Sequence, residues 1–234
     1  MRIIILPDIH GRVWWKDILD KEQYDLVIFL GDYVSTHQDI TGDAQINNLK
    51  NILDFKESNP YKVILLRGNH DLQHLGYYWA KCSGYFRDVG EWMSQKENLD
   101  RFLKDTQWIY LYKPSNLLFS HAGISTTWLG STGVLLKDIN KLEPSELFGF
   151  TAGIDNPYDN YGYSIYQPCT WIRPESLLSN ISKRYTQIVG HTTFYKIEHC
   201  QTENYNVYFC DCNLQEYLVF DNGEFEIKKV PAIR

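Results

Sequence analysis

Aspartate, histidine and asparagine residues follow apolar runs at five places in this sequence, and such side chains together can hold divalent transition-metal ions. Asp8 and His10 follow residues 2–6, Asp32 follows 26–30, Asn69 and His70 follow 62–66, His121 ends 116–120, and His191 comes after 187–189. Asp8 and His10 are two residues apart, so in an extended stretch they face one side and can grip one ion together. Gly31, Gly68 and Gly190 stand directly before Asp32, Asn69 and His191, removing bulk where backbone must pass close to the ions. Mixed Asp, His and Asn donors suit manganese, iron or zinc rather than a thiolate site or an all-oxygen calcium cage. A single Asp or His is more often a cap or a satisfied core polar group. Their repetition at successive run ends carries the reading.

The elements that must position these groups follow from hydrophobic pattern. Residues 2–6, 26–30 and 62–66 are continuous Ile, Val and Leu-rich runs of the kind that form buried strands. Residues 12–19 and 44–55 carry apolar side chains at helical spacing, so the first third reads as successive βαβ crossovers. A mostly helical stretch is expected over 74–105, with Trp79, Phe86, Trp92, Leu99 and Phe102 turned inward. Strands return at 116–120, 187–189, 205–210 and 216–220, and Asn222-Gly223 marks a hairpin into 225–230. Residues 149–174, rich in Gly, Asn, Asp, Tyr and Pro without periodicity, read as a long ordered loop over the site. In open α/β sheets, ligands gather beyond the carboxyl ends of the strands, which is where every one of these donors falls.

Composition narrows the class. The 234 residues are 44% hydrophobic and 22% charged, ordinary for one globular domain spanning 1–234. A net charge of −6 argues against a dedicated nucleic-acid surface. No segment approaches the length of a membrane span, and Asp8 interrupts the N-terminal apolar run where a signal peptide would continue. Five cysteines, odd in number and without a C-x-x-C pair, suit a reducing cytoplasm, and Cys210 and Cys212 read as buried structural thiols rather than a metal pair. The 17 Tyr, 11 Phe and 7 Trp serve mainly packing.

The motifs Pro7-Asp8-Ile9-His10-Gly11, Gly31-Asp32-Tyr33-Val34, Arg67-Gly68-Asn69-His70-Asp71, Ser120-His121-Ala122-Gly123 and Gly190-His191-Thr192 resemble those of the calcineurin-like metallophosphoesterases. The branch of serine/threonine phosphoprotein phosphatases and diadenosine tetraphosphatases is most similar. The resemblance implies a four-layer αββα sandwich of two mixed β-sheets, with α/β units early and antiparallel hairpins late. It implies two divalent metal ions, manganese preferred and iron or zinc as alternatives. Asp8, His10 and Asp32 would hold one; Asp32, Asn69, His121 and His191 would hold the other, with Asp32 bridging. The implied reaction is attack of a metal-bridging hydroxide on a phosphate ester, with no protein nucleophile. His70 would protonate the leaving oxygen with a pKa near working pH, and Arg67 would clamp phosphate. Arg173 reads either as a second clamp or as an exposed cap of the following helix.

The branch usually carries an Asp-Arg pair in the run G-D-x-V-D-R-G, where this chain has Ser35 and Thr36. Neither can supply the carboxylate or the guanidinium. Arg12 and His37 are the positions from which phosphate contact could come instead. Asp71 stands where the protein phosphatases carry glutamate and other metallophosphoesterases aspartate. The leading expectation is a phosphomonoesterase acting on a phosphoprotein or a small phosphorylated compound. The alternatives are a dinucleoside polyphosphate hydrolase or phosphodiesterase, and a non-catalytic metal-binding module.

Overall fold

Three of the apolar runs become neighbouring parallel strands, β1 (Arg2–Leu6), β2 (Leu26–Phe29) and β3 (Val63–Leu66). The structure, a computed structural model, describes residues 1–151 and 162–231. Short strand β4 (Ala80–Lys81) precedes β5 (Thr106–Gln107), β6 (Ile109–Tyr112), β7 (Leu117–Ser120) and β8 (Phe150–Thr151). β9 (Thr186–Val189), β10 (Glu198–Gln201), β11 (Asn206–Phe209), β12 (Glu216–Asp221) and β13 (Glu224–Lys229) complete the set among the described residues. They form a six-stranded sheet ordered β13-β12-β1-β2-β3-β5, a five-stranded sheet ordered β10-β11-β9-β7-β6, and a two-stranded β4-β8 pair.

The strand alternation decides which side chains meet. On β1, Ile3 and Ile5 face the five-stranded sheet and pack with Phe119, Ile188 and Cys210 between the two sheets. Ile4 and Leu6 point the other way, against Ile18 of α1 (Trp15–Lys21) and Leu49 and Leu53 of α2 (Gly42–Ser58). Burying an Ile or Leu fully contributes roughly 1.5–3 kcal/mol, so both faces of this central strand hold the layers together. The outer face of the five-stranded sheet places Val189, Val207 and Phe209 under Leu177 of α7 (Pro174–Ser179). Two mixed sheets with helices outside are thus the architecture expected.

The stretch 74–105 differs from a mostly helical reading. α3 (Asn69–His74) ends there, and helix resumes only at α4 (Arg87–Met93) and α5 (Lys96–Asp105). Gly76 and Gly84 take φ of 85° and 73°, left-handed values that break a helix, and β4 pairs with β8 between them. The inward anchors hold regardless: Phe102 is buried, and Trp79, Phe86, Trp92 and Leu99 pack against the core. The remaining α-helix among the described residues is α6 (Thr126–Ser131), which, like α7, β6 and β10, has no clear sequence periodicity. Of the loop expected over 149–174, residues 152–161 lie outside the described residues. No helix among the described residues is long and apolar enough to cross a membrane.

Glu22 ties the first helix to three strands. Its carboxylate accepts from Arg2 Nη2 at 2.7 Å, Lys228 Nζ at 2.8 Å and Tyr217 Oη at 2.8 Å. Burial opposes its ionisation, but these donors outweigh burial and hold its pKa down to about 2. A depressed carboxyl pKa contributes stability that is present above the unfolded value near 4.3 and is lost as pH falls towards 2. Glu22→Gln is expected to lower unfolding free energy by about 1.5–3 kcal/mol at pH 7. Denaturant titrations at pH 7 and pH 2.5 check it: the gap between variant and wild type should shrink at the lower pH.

Candidate active site

Five strands of the two sheets end against one cleft. Asp8 and His10 follow β1, Asp32 follows β2, Asn69 opens α3 after β3, His121 follows β7, and His191 follows β9. Asp8, Asp32, Asn69 and His121 are buried, and His10, His70 and His191 half-buried. The cleft, about 340 Å³, is lined by His10, Arg12, Asp32, Asn69, His70, Cys82, Arg173 and His191 among others. A larger cavity of about 670 Å³ lies on the outer face of the five-stranded sheet, beside α6, and contains none of these donors.

The backbone bends sharply where the donors sit. Asp8 and His10 do not share one side of an extended strand: His10 takes φ 47°, and Ile9 and His10 both donate their N–H to the Asp32 carbonyl. Asp32, Ser35 and His191 are also left-handed, at φ 51°, 69° and 66°. Side chains rarely adopt such values, and strain of this kind gathers at functional sites. The glycines before the donors are required for contact rather than for bending alone. A Cβ on Gly68 would come within 2.1 Å of Asp32 Oδ1, and one on Gly190 within 2.1 Å of Asp8 Oδ1.

Buried hydrogen bonds brace the Asp32 turn. Asp71 accepts from the N–H groups of Asp32, Tyr33 and Gly68, each at 2.9 Å. Asp32 Oδ1 accepts from the His70 N–H at 2.9 Å. Burial and then Asp32 push the Asp71 carboxyl up to about 7, against its backbone donors.

The donor atoms meet at spacings that fit divalent ions. Asn69 Oδ1 lies 2.9 Å from His121 Nε2 and 2.8 Å from His191 Nδ1. Asp32 Oδ2 lies 3.4 Å from His121 Nε2, 3.9 Å from His10 Nε2 and 4.0 Å from His70 Nε2. Ligands about 2.1 Å from one ion stand roughly 3 Å apart. Asp8, Asp32 and His121 form a buried group with ligand atoms all within 4.8 Å of one another. Burial opposes charge on His121, but Asp32 and Asp8 outweigh it and push its pKa up to about 10. His10 Nδ1 is anchored on the Ser35 carbonyl at 2.5 Å, and His121 Nδ1 on the Leu30 carbonyl at 2.8 Å, the outer contact that orients metal-binding imidazoles. The residues therefore fit divalent-cation binding.

The arginines separate. Arg67 does not reach the cleft: its Nε donates to Thr106 Oγ1 at 2.9 Å, and Nη2 to the Leu103 and Thr106 carbonyls at 2.7 and 2.9 Å. Its guanidinium caps the carboxyl end of α5 and lies over the Trp108 ring at 4.6 Å. Helix-terminal carbonyls attract cations, and that attraction outcompetes the cleft. Arg12 lines the cleft nearly buried, donating to Asn213 Oδ1 at 2.9 Å, with its Nε buried and unpartnered. Arg173 also lines it, half-buried, donating to Thr192 Oγ1 at 3.1 Å, and makes no side-chain cap for α7. His37 is exposed on the rim.

His70 is held differently from expectation. Burial, against the pull of Asp32, lowers its pKa to about 4, so it is neutral at pH 7 rather than titrating near it. Its Nδ1 faces the Cys82 sulfur at 3.6 Å. Cys82 therefore lines the site, whereas Cys210 and Cys212 are buried in the core as expected. Asp211 and Asn213 are further site neighbours that sequence reading passed over. Asp211 accepts from Thr193 Oγ1 and the Asn213 N–H. They follow β11 as the other donors follow their strands, so the same rule could have found them.

A family model of calcineurin-like phosphoesterases matches residues 1–223, and the chain belongs to that family. Among solved structures, it is similar to a protein serine/threonine phosphatase from Saccharomyces cerevisiae with similarity to human phosphatase PP5. That match has 14% identity, covers 100% of this chain and 81% of the other, and has a TM-score of 0.63. It is similar also to the cold-active protein-tyrosine phosphatase of a psychrophile, Shewanella sp., at 16% identity, 98% and 80% coverage, and a TM-score of 0.60. Comparison with curated proteins gave no match.

Proposed function

We propose that this protein, as one domain over 1–234, hydrolyses phosphate monoesters of a phosphoprotein or a small phosphorylated compound. Two divalent cations, manganese in preference to iron or zinc, would be its cofactors. The observation that carries the reading is the convergence of Asp8, His10, Asp32, Asn69, His121 and His191 with Arg12, Arg173 and His70 on one cleft. Asp8, His10 and Asp32 would hold one ion; Asp32, Asn69, His121 and His191 the other. Bound there, the ions would supply Lewis-acid charge and an activated water. Arg12 and Arg173 enter from opposite motifs and would pair with phosphate oxygens, where a nearly buried guanidinium binds most strongly. His70 Nε2, on the cleft side near Asp32, would face the leaving oxygen as a donor.

The test is hydrolysis of 4-nitrophenyl phosphate, its bis-ester and diadenosine tetraphosphate by metal-stripped protein, with and without manganese. We expect monoester cleavage at least about 100-fold faster with metal than without. Preference for either other substrate would select the phosphodiesterase or dinucleotide reading, and no metal-dependent cleavage the binding module. Arg12→Ala is expected to raise KM for 4-nitrophenyl phosphate about 10-fold or more, since a charge-assisted pair of this kind contributes roughly 1.5–3 kcal/mol. Unchanged steady-state constants would remove Arg12 from the phosphate site.

A further inference from the structure

The thiol beside His70 is placed so that its hydrogen bonds have a direction. Asn69 turns its Oδ1 to His121 Nε2 and His191 Nδ1, at 2.9 and 2.8 Å. The oxygen is the end that ions take. Its Nδ2 therefore faces the other way, and lies 3.6 Å from Cys82 Sγ, where the sulfur can only accept. The S–H hydrogen is then available to a second partner, and His70 Nδ1 stands 3.6 Å from the same sulfur. An imidazole that accepts that S–H at Nδ1 carries its own hydrogen on Nε2. Nε2 is the ring nitrogen that faces Asp32 Oδ2, at 4.0 Å, and the cleft.

The surroundings hold Cys82 in that place. Gln73, one turn along α3 from Asn69, accepts from the Cys82 N–H at 2.8 Å and donates to the Ser83 carbonyl at 3.2 Å. Ser35 is turned aside, its hydroxyl donating to the Gly84 carbonyl. Among the described residues, no carboxylate hydrogen-bonds to Nδ1.

We propose that Cys82 is a positioning residue: its thiol fixes His70 as the Nε2–H tautomer and aims that N–H at the leaving oxygen. The inference rests on the phosphatase reading for its purpose but not for its geometry. As the bond from phosphorus to the leaving oxygen breaks, Nε2–H donates a hydrogen bond to the charge growing on that oxygen. Both electrons of the bond stay with the oxygen, which takes its proton from water on release, and the imidazole keeps its own. A neutral histidine acting as a hydrogen-bonding electrophile is established chemistry. A leaving group that carries less charge easily needs this help more.

The experiment has two arms. In the first, nitrogen-15 NMR of histidine-labelled protein loaded with zinc, which is diamagnetic, reads the tautomer of His70 directly, whether or not the protein turns over. We expect Nε2–H in the wild type, retention in Cys82→Ser, whose hydroxyl can also accept and donate, and a shift towards Nδ1–H in Cys82→Ala. Nδ1–H in the wild type, or an unchanged tautomer in Cys82→Ala, overturns the proposal. In the second, kcat is compared for phenyl phosphate and 4-nitrophenyl phosphate. Cys82→Ala should lose about 10-fold more on phenyl phosphate, with metal content unchanged and activity recovered in Cys82→Ser. Equal loss on both substrates would show a role in packing only. A wild type that holds the Nε2–H tautomer yet cleaves neither ester would count against the phosphatase reading and leave the tautomer assignment standing.

Discussion

Asp32→Asn is expected to lower kcat/KM for 4-nitrophenyl phosphate by at least about 10³-fold, and to abolish the rise in melting temperature that manganese gives the wild type. Asp32 faces both halves of the donor set: Oδ2 lies within 4.0 Å of ring nitrogens of His10, His70 and His121. An amide keeps the shape but removes the charge that would lie between two cations, so both should be lost or weakened together. Ligand binding stabilises the folded state by about 2.7 kcal/mol at 100 times Kd. The melting curve therefore reports metal binding without any assumption about chemistry. The metal-free variant should remain folded, because the amide keeps the volume and shape of the carboxylate in this packed turn. A variant that keeps the manganese-induced stabilisation would refute the bridging role, whatever its activity.

His70→Ala should be the second largest loss, with a different signature. The side chain faces the cleft but lies outside the two proposed ligand sets, so metal affinity should change little while kcat falls by about 10²–10³-fold, the usual cost of removing one donor aimed at developing charge. The fall should be greater for phenyl phosphate than for 4-nitrophenyl phosphate, whose leaving group needs less help. KM should stay near the wild-type value, since the interaction is made in the transition state. Equal losses on both substrates, or loss of metal, would instead assign His70 to site architecture. Comparing this variant with Asp32→Asn separates groups that hold ions from groups that act on the ester.

Much of the fold was legible because burial leaves a mark on every residue it touches. β1 to β3 are runs in which both faces are covered, so Ile, Val and Leu stand at every position rather than alternate ones. α4 and α5 were harder to resolve, since Gly76, Gly84 and the β4-β8 pair interrupt a stretch whose aromatic anchors point inward either way. α6 and α7 are six residues each, too short for periodicity to identify.

The candidate site divides along a similar line. Sequence by itself determined the donor types and their order: Asp8, His10, Asp32, Asn69, His121 and His191 each follow a strand, and parallel strands deliver their next residues to one edge. It also determined that Ser35 and Thr36 cannot supply a carboxylate and a guanidinium. Only the tertiary structure decided which side chains line the cleft around them, because long side chains choose among partners that are distant in sequence. Arg67 follows the third motif but is drawn to the carbonyls closing α5, while Arg12 reaches the cleft beside Asn213, 201 residues further along the chain. Cys82 meets His70 because Gln73 holds its backbone across a turn. Spacing along a strand is local and readable, whereas the direction of a guanidinium or a thiol is set by whichever buried polar groups the folded chain leaves for it.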